Sequence, residues 1–486
     1  MRTILAYCFV GLSLNLTAQP IALHPENPHY LIYQGNPTVL VTSAEHYGAV
    51  LNTAFDYETY LRTLQEEGMN YTRIFTGSYV EVPGSFGIHY NTLSPATGQF
   101  LAPWQRVNEA SLYEGEGKFD LSAWNPEYFR RLTNFVEEAN SRGVIVEVTL
   151  FCATYQDAYW ERHPFHPGNN VNNLGTLARK DFNTLKNQKA VEFQKALVEK
   201  IVTELNEYDN IFYEISNEPW ADNEEEALYL LKTSRPNTDD LGWILWAHSA
   251  KPGTLDWQRE LAAVVVETEQ NLPKKHLIAQ NYSNFKQSLQ SVEPNISIIN
   301  FHYAWPEAVE MNYGWERPVG FDETGFSGNA DSTYLEQAWA FMMAGGAIFN
   351  NLDYSFYPGA EDGTGGNQAP GGGSTQLRRQ LKILRDFLES FDFIHMHPAP
   401  GVLYHAPGMI GQALAEPGKQ YALFLSGKPG EWIKLNLPAG EYQYQFLSPD
   451  TGAVLAEGKM SGSNEPVSLS LPQGHHRLAL RMVATP

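Results

Sequence analysis

The sequence predicts an α/β fold: a (β/α)8 TIM barrel followed by a small C-terminal all-β sandwich. Three observations lead there. From residue 39 to about 391, buried-type apolar strands alternate with stretches of helical periodicity, a pattern that implies parallel pairing. Eight strand candidates fit into that span, near residues 40, 72, 147, 214, 278, 299, 320 and 350, the number a closed barrel needs. After Pro398 the helical period stops, and short alternating segments divided by Pro-Gly, Ala-Gly and Thr-Gly take over, as in a sandwich. A doubly wound open sheet is the competing arrangement for the first part.

Taken in order, the chain opens with Arg2, an apolar run from Ile4 to Leu16 and a small-residue exit at Ala18. These are the marks of a cleaved secretory signal, too short to span a bilayer. We therefore expect residues 1–18 to be a signal peptide and the protein to be exported, periplasmic or extracellular, after cleavage near Ala18. Residues 19–38 hold a Gln34-Gly35-Asn36-Pro37 turn between short strand-like pieces, a hairpin signal. The barrel is expected over residues 39–394. Its first helix covers residues 56–67, with Gly68 as the stop, and its second opens at Asn125-Pro126, with proline in the first turn and Gly143 after the end. Long loops follow strand two (residues 77–122) and strand three (152–184). Later helices fall at about 188–205, 257–271, 334–344 and 376–391, and residues 395–486 form the sandwich.

Composition excludes several functions. The net charge is −22, and Lys and Arg form no stripe, which argues against nucleic acid and anionic membranes. Once the leader is gone only Cys152 remains, so no internal disulfide can form; a buried thiol is the expected state. Aromatics make up 13% of the residues, with 11 Trp and 26 Tyr. Such rings suit stacking on sugars, and equally suit a large core. No cofactor and no metal is expected. His163 and His166 sit in a Pro/Gly/Asn-rich loop without further ligands nearby, and the glycines of 359–374 follow a strand without a Lys or an immediate helix, unlike a phosphate loop.

A barrel of this kind builds its site at the C-terminal strand ends. Read in order, those ends bring His46 and Tyr47 (strand one), Arg73 (two), Asn217 and Glu218 (four), and Asn281 and Tyr282 (five). His302, Tyr303 and Trp305 follow strand six, Glu323 ends strand seven, and Asn351 and Asp353 end strand eight. Trp220 lies beside Glu218, and Trp243, Trp246 and Trp257 fall between strands four and five as stacking or packing candidates. Glu147 and Glu214 read as barrel-core groups. Asp322, next to Glu323, should point the other way if the strand alternates regularly.

These residues carry a resemblance. Asp209 to Pro219, ending Tyr213-Glu214-Ile215-Ser216-Asn217-Glu218-Pro219, resembles the strand-four signature of the clan A glycoside hydrolases, which include glycoside hydrolase family 5. Gly68 to Ile74, Phe135 to Val144 and His302-Tyr303 resemble that clan's approaches to strands two, three and six. The likeness covers roughly residues 39–391. The strand-six order His302-Tyr303-Ala304-Trp305 departs from the usual His-x-Tyr, and the strand-eight Trp common in family 5 is missing, which places the chain in another family of the clan.

The resemblance implies a retaining double displacement, which needs two carboxyls about 5–5.5 Å apart. Glu218 would be the acid/base and Glu323 the nucleophile. Arg73 would keep Glu323 ionised, Asn217 would bind the sugar 2-hydroxyl, and His302 and Tyr303 would support. His46, Tyr47, Trp220, Asn281, Tyr282, Trp305, Asn351 and Asp353 would meet the substrate. The expected function is a secreted endo-acting β-glucanase, leaning to β-1,3-glucan. Exo action on oligosaccharides, or a non-catalytic glycan-binding barrel, are the alternatives. The sandwich is expected to be structural, with a glycan-binding module as its other reading.

Overall fold

Eight parallel strands surround a common axis: β1 (Leu40–Ala44), β2 (Tyr71–Phe75), β3 (Ile145–Cys152), β4 (Ile211–Asn217), β5 (Ile278–Asn284), β6 (Ile298–His302), β7 (Val319–Thr324) and β8 (Ile348–Leu352). The structure, a computed structural model, describes residues 19–112, 116–229 and 246–485. The apolar leader and Trp243 lie outside those residues. Every residue of the eight strands is buried, because helices cover the outer face while side chains fill the interior. That is why the strands read in sequence as apolar runs rather than alternations.

The ladder runs β1-β8-β7-β6-β5-β4-β3-β2. The remaining seam, between β1 and β2, is bridged by one side chain. The Asn70 amide accepts from the Val41 N–H at 2.9 Å and donates to the Val39 carbonyl at 2.8 Å, so it stands in for a strand's own peptide group. Farther along, the Phe75 N–H donates to the Tyr47 carbonyl at 3.1 Å.

Besides a single turn at Asp157–Trp160, the described α-helices are α1 (Tyr57–Glu66), α2 (Pro126–Ser141), α3 (Gln188–Leu205), α4 (Pro252–Gln270), α5 (Glu307–Asn312), α6 (Asp331–Met343) and α7 (Thr375–Glu389). Asp56, Asn125, Asn187 and Ser374 cap four of them, each accepting from a first-turn N–H, the role these residue types are suited to. β5 runs into β6 through residues 285–297 without an α-helix. None of the described helices is long and apolar enough to cross a membrane.

The segment expected as a plain loop after β2 contains an antiparallel ribbon, Trp104–Ala110 with Gly117–Trp124. Its first strand exposes polar residues such as Gln105, Asn108 and Glu109, so no apolar alternation marks it. Near the N-terminus, Leu31–Tyr33 pairs with Asn36–Thr38 across Gln34 (φ 51°) and Gly35 (φ 80°), the two left-handed residues of a tight hairpin turn. The Ile21 N–H donates to the Asp209 carbonyl and the Tyr33 hydroxyl to Asn140. Both partners lie on the approaches to strands, so this piece covers the end of the barrel away from the rim.

The C-terminal unit pairs a six-stranded antiparallel sheet with a three-stranded one around its own core, which includes Ile433, Leu435, Phe446 and Leu480. It docks on α6, where the buried Trp339 stacks on Phe424 at 5.6 Å and the Ser426 hydroxyl donates to Glu336 at 2.7 Å.

Candidate active site

The chain turns sharply as it leaves the strands. Tyr47, Tyr155, Glu218, Phe285 and Tyr303, just past β1, β3, β4, β5 and β6, all have left-handed backbones, with φ of 62°, 58°, 41°, 58° and 51°. Such conformations cost roughly 1–3 kcal/mol each for residues other than glycine, and they collect where surrounding structure enforces them for function. Here the enforcement is visible. Asn281 accepts the Glu218 N–H at 3.0 Å, and the Tyr303 N–H donates to the Glu323 carbonyl at 2.8 Å. Of these, Tyr47, Tyr155, Glu218 and Tyr303 line a pocket of about 620 Å³.

Two carboxylates face each other there. Glu218 Oε1 lies 2.9 Å from His302 Nδ1, and its Oε2 accepts from the Tyr155 hydroxyl at 2.8 Å. Glu323 accepts from Tyr47 and Tyr303 at 2.8 Å each, and from Arg73 at 3.3 Å. His302 Nδ1 also stands 3.4 Å from Glu323 Oε1. Donor atoms of Glu218, His302 and Glu323 lie within 4.8 Å of one another. Burial works against charge on Glu323, but His302, Arg73 and the Tyr303 hydroxyl outweigh it and hold the carboxyl well below the usual range. His302 is also buried, yet the charges of Glu323 and Asp322 raise its pKa well above the ordinary imidazole value.

Arg73 is the fully buried cation beneath the pair. It bonds Glu214 directly, donates to Asn217 at 2.9 Å and Thr149 at 3.1 Å, and stands 3.5 Å from Asp322 and 3.8 Å from Glu147. Asp322 therefore does not point away from the site, as strict alternation demands. The register slips between Phe301 and His302 and again between Phe321 and Thr324, and such irregularities re-aim side chains. Both consecutive carboxylates consequently reach Arg73. Glu147, bonded by Tyr71 and by Asn300 at 2.9 Å, is driven well above the usual carboxyl range by burial and by its anionic neighbours. The Glu147–Glu214–Asp322 cluster has donor atoms as close together as a metal site requires, but here Arg73 supplies the cation.

The other residues read from strand ends divide. His46, Tyr47, Asn217, Trp220 and Tyr303 line the pocket beside the two glutamates, and Trp220 sets its ring edge-on to His302 at 5.7 Å. Asn281 holds the Glu218 backbone instead of facing substrate. Tyr282 is buried in the core with Arg317 and Glu293 as charged neighbours, and Trp305 lies under the Lys286 ammonium at 4.6 Å; neither is among the pocket-lining residues. Asn351 donates to Ser43, which donates to Asp353 (2.8 Å each), and Asp353 is paired with Arg378 of α7 at 2.5 Å. These two residues tie β8 to β1 and to the last helix, so their expected contact with substrate is corrected to a structural one. Trp257 is fully buried and donates to Gln194, whereas Trp246 lines the pocket. His163 and His166 use Nδ1 to accept nearby backbone N–H groups. Cys152 borders the pocket, and burial pushes its thiol pKa up.

Several lining residues were not anticipated. Tyr155 follows β3 directly and was open to the same strand-end reading. Glu81, Phe86 and Phe326 belong to loops without periodicity, so no local signal marks them.

Glu45, at the foot of the β1 turn, is fully buried and accepts the N–H groups of Gly48 and Ala49 at 3.1 and 2.9 Å. Burial outweighs those bonds and raises its pKa to about 7. Because the folded value lies above the unfolded one, the native state holds a proton that the unfolded chain has released, and stability falls as pH rises from about 4.5 through 7, by up to about 3 kcal/mol. Glu45→Gln should flatten that part of a Tm-against-pH curve; an unaltered slope would refute the assignment.

No protein-family model and no curated protein matches the chain. Solved structures do. A candidate glycoside hydrolase from Bacteroides vulgatus ATCC 8482 superposes with a TM-score of 0.65 at 13% identity, over 96% of this chain and 83% of that one. A glycoside hydrolase family 5 structure from the same organism gives 0.63 at 12% identity, over 97% and 95%. A further structure named glycoside hydrolase gives 0.62 at 12%, over 96% and 97%. The chain thus has the (β/α)8 fold of these glycoside hydrolase structures, and the likeness runs through barrel and sandwich together.

Proposed function

We propose that the protein is a retaining glycoside hydrolase acting on a β-linked, neutral glycan of the β-glucan type. The observation that carries this reading is the Glu218/Glu323 pair, one oxygen of each lying within 4.8 Å of the other. A close pair suits direct attack, the arrangement of retaining enzymes. Glu323, kept ionised, attacks the anomeric carbon and forms a glycosyl-enzyme as the glycosidic C–O bond breaks. Glu218 gives its proton to the leaving oxygen, then takes one from the water that releases the sugar. His302 Nδ1 stands 2.9 Å from Glu218 and 3.4 Å from Glu323, and its charge helps keep Glu323 ionised.

The tyrosines either side of the pair do different work. Tyr47 and Tyr303 donate to the nucleophile and spread its charge. Tyr155 donates to Glu218 and accepts from Asn217 Nδ2 at 2.9 Å, which fixes the orientation of the acid. Tyr155→Phe should lower kcat about 10–100-fold, the loss of one hydrogen bond to a charged group. Its KM should change little; a rise in KM at constant kcat would assign Tyr155 to binding instead.

Aromatic rings of Tyr79, Phe86, Trp220, Trp246 and Phe326 face the pocket, and the described lining contains neither Lys nor Arg. Both features support a neutral sugar over a uronate. We also propose export, on the apolar leader of residues 1–18. The reading is tested by incubating the protein with β-1,3- and β-1,4-glucans, mannans and xylans and measuring released reducing ends. Glucan cleavage is expected; release from another polymer alone would correct the sugar, and release from none would sink the hydrolase reading.

A further inference from the structure

One wall of the pocket is built of aromatic rings. A loop after β2 carries Phe86, whose ring meets Tyr155 at 5.2 Å on one side and Phe326 at 6.3 Å on the other, and Phe326 in turn meets Tyr303 at 6.0 Å. Tyr155 bonds Glu218 and Tyr303 bonds Glu323, so this row of rings arches from one carboxylate to the other. Edge contacts at these separations make the row of rings continuous.

The arch is strapped down. The His89 N–H donates to the Gln368 carbonyl at 2.8 Å, Tyr90 and Asn367 exchange two hydrogen bonds, and the Tyr90 ring stacks on Tyr357 at 4.4 Å. The loops after β2 and β8 therefore form one wall. Behind it the β1 turn is equally tight: Gly48 packs so closely on Thr92 that a Cβ would fall 2.3 Å from its carbonyl.

Polar groups wait inside that wall. Glu81, 2% exposed, takes hydrogen bonds from Tyr79 at 3.0 Å and Asn91 at 2.5 Å and keeps further lone pairs toward the pocket it lines. His46, 9% exposed, lines the same pocket, and neither of its ring nitrogens makes a hydrogen bond; Glu81 Oε1 lies 3.5 Å away. Buried polar atoms are normally satisfied. A carboxylate acceptor and an imidazole side by side in a ring-lined pocket match adjacent sugar hydroxyls. His46 stacks beside Tyr47, which bonds Glu323, so the pair stands next to the group that would attack the anomeric carbon.

We propose that the pocket accepts the non-reducing end of a β-linked oligosaccharide, with the terminal sugar's hydroxyls held by Glu81 and His46, and that it trims chains from that end. The proposal rests on the hydrolase reading for its direction. The leaving oxygen must meet Glu218, so the retained sugar lies toward Glu323, and the chain beyond it would have to pass through the wall. Internal cleavage, expected from the long loops, needs that side open.

Binding separates this from the hydrolase reading. The Glu218→Gln variant is titrated calorimetrically with laminaritriose, cellotriose, mannotriose and xylotriose, each with a free or a 4,6-O-benzylidene-capped non-reducing end; for xylotriose, which lacks O6, a 4-O-methyl cap serves. We expect at least one free trisaccharide to bind and its capped form to bind at least about 100-fold more weakly. Glu81→Gln on the same background should lose about 10–100-fold for the free form. Phe86 has a φ of 55°, which glycine adopts freely, so Phe86→Gly opens the arch and should narrow the gap between the free and capped forms. Equal binding of free and capped forms, or binding of neither, overturns the proposal. Wild-type protein that binds free ends but cleaves nothing would remove the hydrolase reading and the trimming with it, and leave only the end-binding pocket.

Discussion

Glu323→Ala is expected to lower kcat by about 100,000-fold, about 7 kcal/mol in the barrier, with the fold intact. The carboxylate is 6% exposed and takes two tyrosine hydroxyls and Arg73, so its loss removes both the attacking group and the focus of that cage. Truncation leaves space beside the anomeric carbon. Azide should enter it and restore turnover on an activated aryl β-glycoside, giving the glycosyl azide of inverted configuration, because only the first displacement then occurs. Turnover within tenfold of wild type would remove Glu323 as nucleophile. Rescue with a retained azide product would assign the attack to a different group, with Glu218 the first candidate.

Arg73 should be nearly as costly to change, for a different reason. It is fully buried among Glu147, Glu214, Asp322 and Glu323, and removing one partner of a buried ion cluster costs about 3–5 kcal/mol because the others stay uncompensated. Arg73→Leu is therefore expected to express poorly or melt far below the wild type. Arg73→Lys keeps the charge but loses the fork that reaches several acceptors at once. It should fold and show lower kcat. Arg73 helps hold the Glu323 carboxyl below its usual range, so weakening it raises that pKa. The acid limb of the kcat/KM profile should move to higher pH in the Lys variant; a limb that stays in place would show that His302 and the tyrosines suffice. The same linkage bears on stability. A depressed folded pKa gives stability that is present above the unfolded carboxyl value and is lost as pH falls through the folded one.

What could be read from the sequence followed the physics of each part. Strands buried on both faces appear as apolar runs, so all eight were visible, and the strand-end rule then brought Arg73, Asn217, Glu218, His302, Tyr303 and Glu323 into one place. It says that a residue reaches the rim, not which way it turns there. Asp353 turns to Arg378 and Asn281 to the Glu218 backbone, partners 25 and 63 residues away, and no local pattern announces either. Asp322 was misplaced because alternation assumes an unbroken ladder and β7 slips on both sides. Glu81 and Phe86 come from a loop with no period. Their positions depend on the strap between Tyr90 and Asn367, a contact spanning 277 residues.

The central claim is that Glu218 and Glu323 work as a retaining pair. The most direct test is the anomeric configuration of the first-formed product, followed by proton NMR on whichever β-linked glycan the protein cleaves, before mutarotation sets in. The account predicts that the β-anomer appears first and the α-anomer grows in later. An α-anomer appearing first would mean that water, not Glu323, attacks the sugar, and would contradict the account.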